Sequence, residues 1–431
     1  MKLLFLSQYY PPETGAGATR AETLRRYLAG LGWEIDILCE LPNYPDGEIP
    51  EEFRDRFFHE TLEENGSSVV RTWVIPTRRE NFFQQIRMFA SWMFSSFLYG
   101  LMNPKKYDAV YATSPPIFGA ISGLMLARLY RIPFFFEVRD LWPDAALETG
   151  QVEEKSLVYK ISKYIERVLY RHADLVIPVT RRSEELIKIT EPEARTHVIY
   201  NGVDVSHFRR VDKPYDIIDE PLRRDVFRVG YAGTIGVIHD LETVVRAAKM
   251  LEDEEDIEFL LIGDGSRSHQ LKKMLDEHRP KNIRWIGSKS HKTIPAYLST
   301  FDLALNPVFD TRVFESILTV KFFEYLACEV PVISTARGIL KEVGEISKAA
   351  VTLPPEDPEV LARTILSLKK DEKKREQLRS NSRTFVETYF DRKKWAGELS
   401  EVLKSRLNRS TDSPTPHHSL HKDISSSGYN W

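Results

Sequence analysis

Two cysteines in 431 residues, Cys39 and Cys328, leave this chain without material for a disulfide framework or a zinc site. A reducing compartment follows as the expectation, and the cytoplasm is its simplest form. Charge of one sign is missing as well. The formal net charge of −3 includes no basic excess of the kind that draws a protein to nucleic acid. Long apolar runs are also absent. The stretch from Met1 to Ser7 is too short for a signal peptide and reads as a first strand. Met88 to Met102 holds fifteen uncharged residues, short of the roughly 20 a spanning helix needs. Arg87 and Lys105-Lys106 prevent its extension. The segment 82–104 therefore reads as a buried helix or as an interfacial element on a membrane. In the second case Arg78, Arg79, Lys105 and Lys106 would meet anionic headgroups, at the inner face.

What is present is ordinary globular material, 42% hydrophobic and 29% charged, in a length sufficient for two domains. Lys2 to Ser7 has a buried-strand pattern. Gly15 and Gly17 come next in a loop, then a helical pattern from Arg20 to Leu31, then a strand from Glu34 to Leu38. Strand, glycine loop, helix and strand in that order begin a doubly wound α/β domain, where ligands gather at the carboxyl ends of strands. The loop is Gly-x-Gly only and lacks the third glycine of a dinucleotide fingerprint. Its glycines serve either a tight turn or a ligand. Asn201-Gly202 is a turn signal closing the first half. From Phe227 a second α/β series opens, with strands at Glu258–Ile262, Ile283–Ile286, Asp302–Leu305 and Val330–Ser334.

In that second series a helix is expected from about Thr319 to Cys328. Lys321 and Glu324, three apart, share one of its faces, while Phe322 and Leu326 face the core. A basic group beside the free N–H groups of a helix start makes a site for an anion such as diphosphate. A carboxylate one turn further in can accept hydrogen bonds from sugar hydroxyls. A surface ion pair is the plainer reading of the same two residues.

The string Phe314-Glu315-Ser316, then Lys321, then Phe323-Glu324-Tyr325 resembles the donor-binding element of family-four glycosyltransferases. The resemblance covers roughly residues 1–400. It implies an α/β fold of the GT-B type, two doubly wound Rossmann-like domains facing a cleft. By this likeness 1–205 would be the acceptor domain and 206–385 the sugar-nucleotide domain. Residues 386–406 would form a last helix crossing back, and 407–431 read as a disordered tail. In that tail His417-His418 suits solvent better than metal.

By the same likeness Glu324 would hold the ribose, Lys321 the diphosphate, and Glu315 the transferred sugar. The family spaces its two glutamates by seven residues, whereas eight lie between Glu315 and Glu324 here, so the usual position falls on Ser316. Gly233, Thr234 and Gly236 form a second candidate phosphate cradle. Many members carry an Arg and a Lys-Gly pair there. This chain has Thr234 and His239-Asp240, which shifts charge neutralisation onto Lys321. Gly263 and Gly265 would lie beside the donor, and Ile286 in the part of the base pocket that pairs with uracil.

Glu137-Val138-Arg139-Asp140 resembles a branch that adds amino sugars or deoxysugars during surface polysaccharide assembly, with Arg139 where the wider family has histidine. Asp140, at a strand's carboxyl end, would orient or deprotonate an acceptor hydroxyl; capping the next segment is its bland alternative. No Asp-x-Asp triplet occurs, so no metal and no other cofactor is expected. The implied activity moves a sugar from a UDP-linked donor to a glycan or polyprenyl-diphosphate-linked acceptor, with retention. Rival readings are a sugar-nucleotide epimerase of the same fold and a noncatalytic sugar-nucleotide sensor.

Overall fold

Lys2–Leu6 (β1) is apolar after Lys2 because it lies between two other strands with both faces covered. This computed structural model describes residues 1–13, 15–43, 47–62, 67–78, 82–104, 106–311 and 314–408. The expectations for Arg79, Lys105 and the tail with His417 and His418 lie outside the described residues. The chain divides into two compact units, Met1–Asn201 together with the segment from Lys393, and Gly202–Arg392.

In the first unit β1 pairs in parallel with Glu34–Glu40 (β2) on one side. Further strands are Phe58–Leu62 (β3), Ser68–Thr72 (β4), Ala109–Ser114 (β5), Phe134–Val138 (β6) and Leu175–Pro178 (β7). The sheet order is β3-β4-β2-β1-β5-β6-β7, so the winding reverses between β1 and β5. Among the described residues only β3 runs antiparallel, against β4, at the sheet edge. Its sequence Phe-His-Glu-Thr-Leu is half polar, which suits an edge and leaves no apolar run to mark it.

The helix expected to start at Arg20 begins at Ala16 instead, directly after Gly15, whose φ is +120°. Gly17 thus lies in the first helical turn and not in a loop. The helix Phe82–Met102 lays Met88, Trp92, Ser95 and Tyr99 against the core. Small residues let it approach the helix Phe118–Tyr130: a Cβ on Gly119 would stand 2.4 Å from the Trp92 ring, and Ser96 Oγ donates to Ser122 Oγ at 2.9 Å.

The second unit is a parallel sheet of six strands: Phe227–Ala232 (β8), Ile257–Ile262 (β9), Ile283–Trp285 (β10), Leu303–Pro307 (β11), Val332–Thr335 (β12) and Ala350–Leu353 (β13). Its order, β10-β9-β8-β11-β12-β13, reverses between β8 and β11. A single helix is expected over 386–406; two meet there, Glu372–Tyr389 and Arg392–Leu407. The break has a backbone cause. Phe390 O accepts from Val203 N at 2.8 Å, and Arg392 N donates to Val203 O at 2.9 Å, so groups that would continue the helix bond to Val203 instead. Gly202 makes this pairing possible, since its φ is +55° and a Cβ there would stand 2.5 Å from Phe390 O.

Candidate active site

Strands β8 and β11 are neighbours in the second sheet, and the winding reverses between them. The segments leaving the carboxyl ends of these two strands therefore meet at one place, where open α/β sheets bind ligands. After β8 comes the loop Gly233–Gly236. After β11, with the Phe314–Ser316 turn between, comes the helix Val320–Ala327. Tyr325 ties the two together, its hydroxyl accepting from Ala232 N and donating to Ala232 O, both at 2.9 Å.

Lys321 stands in the first turn of that helix. Its side chain is only 8% exposed, which rules out the surface ion pair. Its ammonium donates to Tyr231 OH at 2.6 Å and to His239 Nε2 at 2.9 Å, and sits 4.2 Å from the Tyr231 ring centre. Tyr231 OH passes its own proton toward Thr234 O at 2.5 Å. An ammonium has three donors, so two of these contacts leave one N–H available. Burial drives the Lys321 pKa well below its ordinary value, although Glu324 pulls the other way.

The glycines of this unit are placed by close backbone approach. A Cβ on Gly233, where φ is +153°, would stand 2.6 Å from Lys321 Cε. A Cβ on Gly263, at φ +137°, would meet Gly233 O at 1.9 Å. Gly265 packs as tightly, with Ile235 O 2.4 Å from the same position. The loops after β8, β9 and β10 are joined by Gly233 N to Ile262 O at 2.9 Å, Ile235 N to Asp264 O at 2.9 Å, and Gly263 N to Gly287 O at 2.8 Å. Ile286 N donates to Leu261 O at 3.0 Å. Gly233, Gly263, Gly265 and Ile286 are thus one layer at the strand ends, with Thr234 exposed and Gly236 half-buried at its edge.

Glu324, half-buried one turn beyond Lys321, has its pKa pushed up to about 7 by burial, against the opposing charges of Arg392 and Lys321. Glu315 is half-buried and Ser316 buried in the short turn before the helix. The backbone of Glu315 packs on the start of the helix Gly338–Ser347, since a Cβ on Gly338 would stand 2.3 Å from Glu315 O.

A separate group forms in the first unit, at the carboxyl ends of β1, β5 and β6. Arg139 Nε donates to Ser114 O at 3.1 Å. Its Nη1 lies 3.1 Å from where a Gly17 Cβ would be, so glycine lets the guanidinium lie beside the helix start. Asp140 is half-buried and its carboxylate accepts no hydrogen bond among the described residues, which removes capping as its role. Burial raises its pKa, with Arg139 opposing. The nearby acids have structural duties. Glu137 is fully buried against Arg20 at 2.6 Å, and Asp144 accepts from Tyr159 OH at 2.7 Å. In the sequence His239 is legible as near the diphosphate region but not as a partner of Lys321, and Tyr231 is not legible as one either. The only local signal for Tyr231 was its place near the end of a strand.

Residues 217–385 match the family described as glycosyl transferases group 1, and 15–202 the glycosyl transferase 4-like domain. WcaI of Escherichia coli (strain K12), named for colanic acid biosynthesis, is 26% identical over 377 residues, covering 84% of this chain and 90% of WcaI. Among solved structures, sucrose-phosphate synthase of Thermosynechococcus elongatus superposes with a TM-score of 0.75 at 17% identity, over 94% of this chain and 98% of that one. Anabaena Alr3699/HepE in complex with UDP-glucose gives 0.68 at 17% identity, over 94% and 100%.

Proposed function

The chain belongs to the family-four glycosyltransferases of GT-B architecture, acting in polysaccharide biosynthesis, and we propose that it takes its sugar from a UDP-linked donor. The acceptor in this proposal is a glycan or a polyprenyl-diphosphate-linked sugar. One observation carries the donor reading: a buried ammonium with one N–H in hand, in the first turn of a helix, at the reversal point of the second sheet. Breaking the bond between the anomeric carbon and the diphosphate leaves negative charge on the departing oxygen. Lys321 and the free N–H groups of its helix start stabilise that charge as it develops. Glu324 accepts from the ribose hydroxyls, Glu315 or Ser316 faces the sugar, and the Gly233–Gly236 loop lines the phosphates. In the first unit, Gly15 leaves room for ligand at the helix start, and Gly17 lets the Arg139 guanidinium face that ligand. Asp140, with its raised pKa, takes the proton of the acceptor hydroxyl. The UDP-glucose held by HepE supports uridine as the base.

The test is a panel of sugar nucleotides scored by protection from thermal unfolding, then transfer to acceptors in excess chelator. A UDP-sugar should raise Tm, by an amount that grows with its concentration. Transfer should continue without divalent cations. A strict need for magnesium or manganese would reject this mechanism, and conversion of the donor without any acceptor would favour an epimerase.

Membrane contact is part of the same proposal. Among the described residues no helix is long and apolar enough to cross a membrane. One face of helix Phe82–Met102 is buried while Phe94 remains 59% exposed, and that exposed side supports the interfacial reading. Leu101 is exposed on it too, as are Met125 and Leu129 on the adjacent helix Phe118–Tyr130, beside exposed Arg128 and Arg131. Apolar side chains among cations suit the headgroup zone of an anionic bilayer. Phe97 packs against the core and is unsuitable for a test, so the informative variant is Phe94→Asp with Leu101→Asp. Wild type should cosediment with anionic vesicles at low salt, and the double variant should remain folded in the supernatant. Wild type that stays in solution would end this part of the proposal.

A further inference from the structure

Lys321 is hydrogen-bonded to both Tyr231 and His239, all three are almost wholly buried, and His239 stands where many members of the family carry the lysine of a Lys-Gly pair. His239 Nδ1 lies 3.3 Å from Pro307 O, a carbonyl that can only accept, so Nδ1 carries the ring proton. Nε2 is then an acceptor, and the contact at 2.9 Å runs from ammonium to neutral imidazole. Two positive charges at that separation in a buried site would repel strongly, so the pair holds a single charge.

Resting on the reading of Lys321 as the diphosphate cation, we propose that His239 is its positioning residue. It accepts one N–H, holds the ammonium beside Gly233, and keeps the lysine charged so that its remaining N–H meets a diphosphate oxygen. Tyr231, on β8, fixes the second N–H and hands its own proton to Thr234 O. Glu324 is the charged group facing Lys321 from its own helix, with Arg392 beyond it. Burial and the lysine charge both push the His239 pKa well below its ordinary value, so the acceptor survives into acid.

Diphosphate affinity depends on charged Lys321, and it falls as pH rises through the lysine's lowered pKa. Without an acceptor at His239 the ammonium is less stabilised, and the fall moves to lower pH. His239→Gln retains an acceptor at about the reach of Nε2, whereas His239→Asn is too short.

The experiment measures the Kd of uridine diphosphate from pH 6 to 9 for wild type, His239→Gln, His239→Asn and Lys321→Ala. His239→Asn should bind roughly 10-fold more weakly at pH 8, the scale of one charge-assisted hydrogen bond, with its alkaline fall shifted to lower pH. His239→Gln should track the wild-type curve. A general packing role would weaken both variants without moving the curve, which would overturn the proposal. A His239→Asn profile that overlays wild type while Lys321→Ala fails to bind would also overturn it, leaving the donor reading intact. If Lys321→Ala binds uridine diphosphate as wild type does, the donor reading itself fails and takes this inference with it.

Discussion

Lys321→Ala is expected to lower turnover by roughly 10²-fold or more, the usual loss when one preorganised electrostatic group is removed from a developing charge. The argument rests on burial as much as on charge. An exposed lysine acts on a diphosphate through water, whereas this ammonium lies in a slot formed by Tyr231, His239 and Gly233. A low effective dielectric strengthens its interaction with the leaving group. Lys321→Arg should be nearly as impaired, because Gly233 leaves no room beside Cε for the broader guanidinium. Stability should change little in the alanine variant, since deleting a buried cation also removes its desolvation cost. Steady-state kinetics with the donor identified by thermal protection provide the check. Near-normal kcat in folded Lys321→Ala would remove the central element of the proposed mechanism.

Arg20→Ala should destabilise the first unit by about 3–5 kcal/mol, as expected when one partner of a buried ion pair is removed. Arg20 donates to Glu137 Oε1 through Nη2 at 2.6 Å and Nε at 3.2 Å, and Nη1 donates to Asn201 O at 3.1 Å. Burial alone would raise the Glu137 pKa, but Arg20 and Arg139 override it and hold the carboxyl below its ordinary value. A depressed carboxylate contributes stability above its unfolded pKa and loses it as pH falls through the folded one. In Arg20→Ala the buried carboxylate keeps Arg139 as its remaining cation, with the weaker help of Thr113, so its pKa rises and the defect should shrink on acidification. Adding Glu137→Gln should recover part of the loss by removing the uncompensated charge. Urea unfolding of wild type, the single variant and the double variant at pH 5 and 8 measures both effects. A loss under 1 kcal/mol for Arg20→Ala at pH 8 would show that the pair contributes little.

Much of this molecule is legible locally. The parallel strands are mostly apolar because both faces are covered, each with a single charged or amide residue, so β1, β6, β9 and β11 are visible largely as composition. Glycine punctuation marks the strand ends, and the shared face of Lys321 and Glu324 comes from helix geometry. Two α/β series, and the residues at their strand ends, are thereby determined by the chain without reference to its folding. The edge strand β3 and the break at Phe390–Asp391 were not legible. One is half polar and the other depends on hydrogen bonds to Val203, far away along the chain.

Tertiary structure alone decided the partners. Lys321 meets Tyr231 across 90 residues and His239 across 82, and Arg20 meets Glu137 across 117. Sequence order cannot supply those pairings, because they depend on which strands become neighbours and where each sheet reverses its winding. The same packing turned Lys321 from a candidate surface lysine into a buried one, separated structural Glu137 from half-buried Asp140, and left one face of Phe82–Met102 uncovered. Residue types and spacing are properties of the chain. Burial, and therefore the charge state and strength of each group, arises only when distant segments exclude water around it.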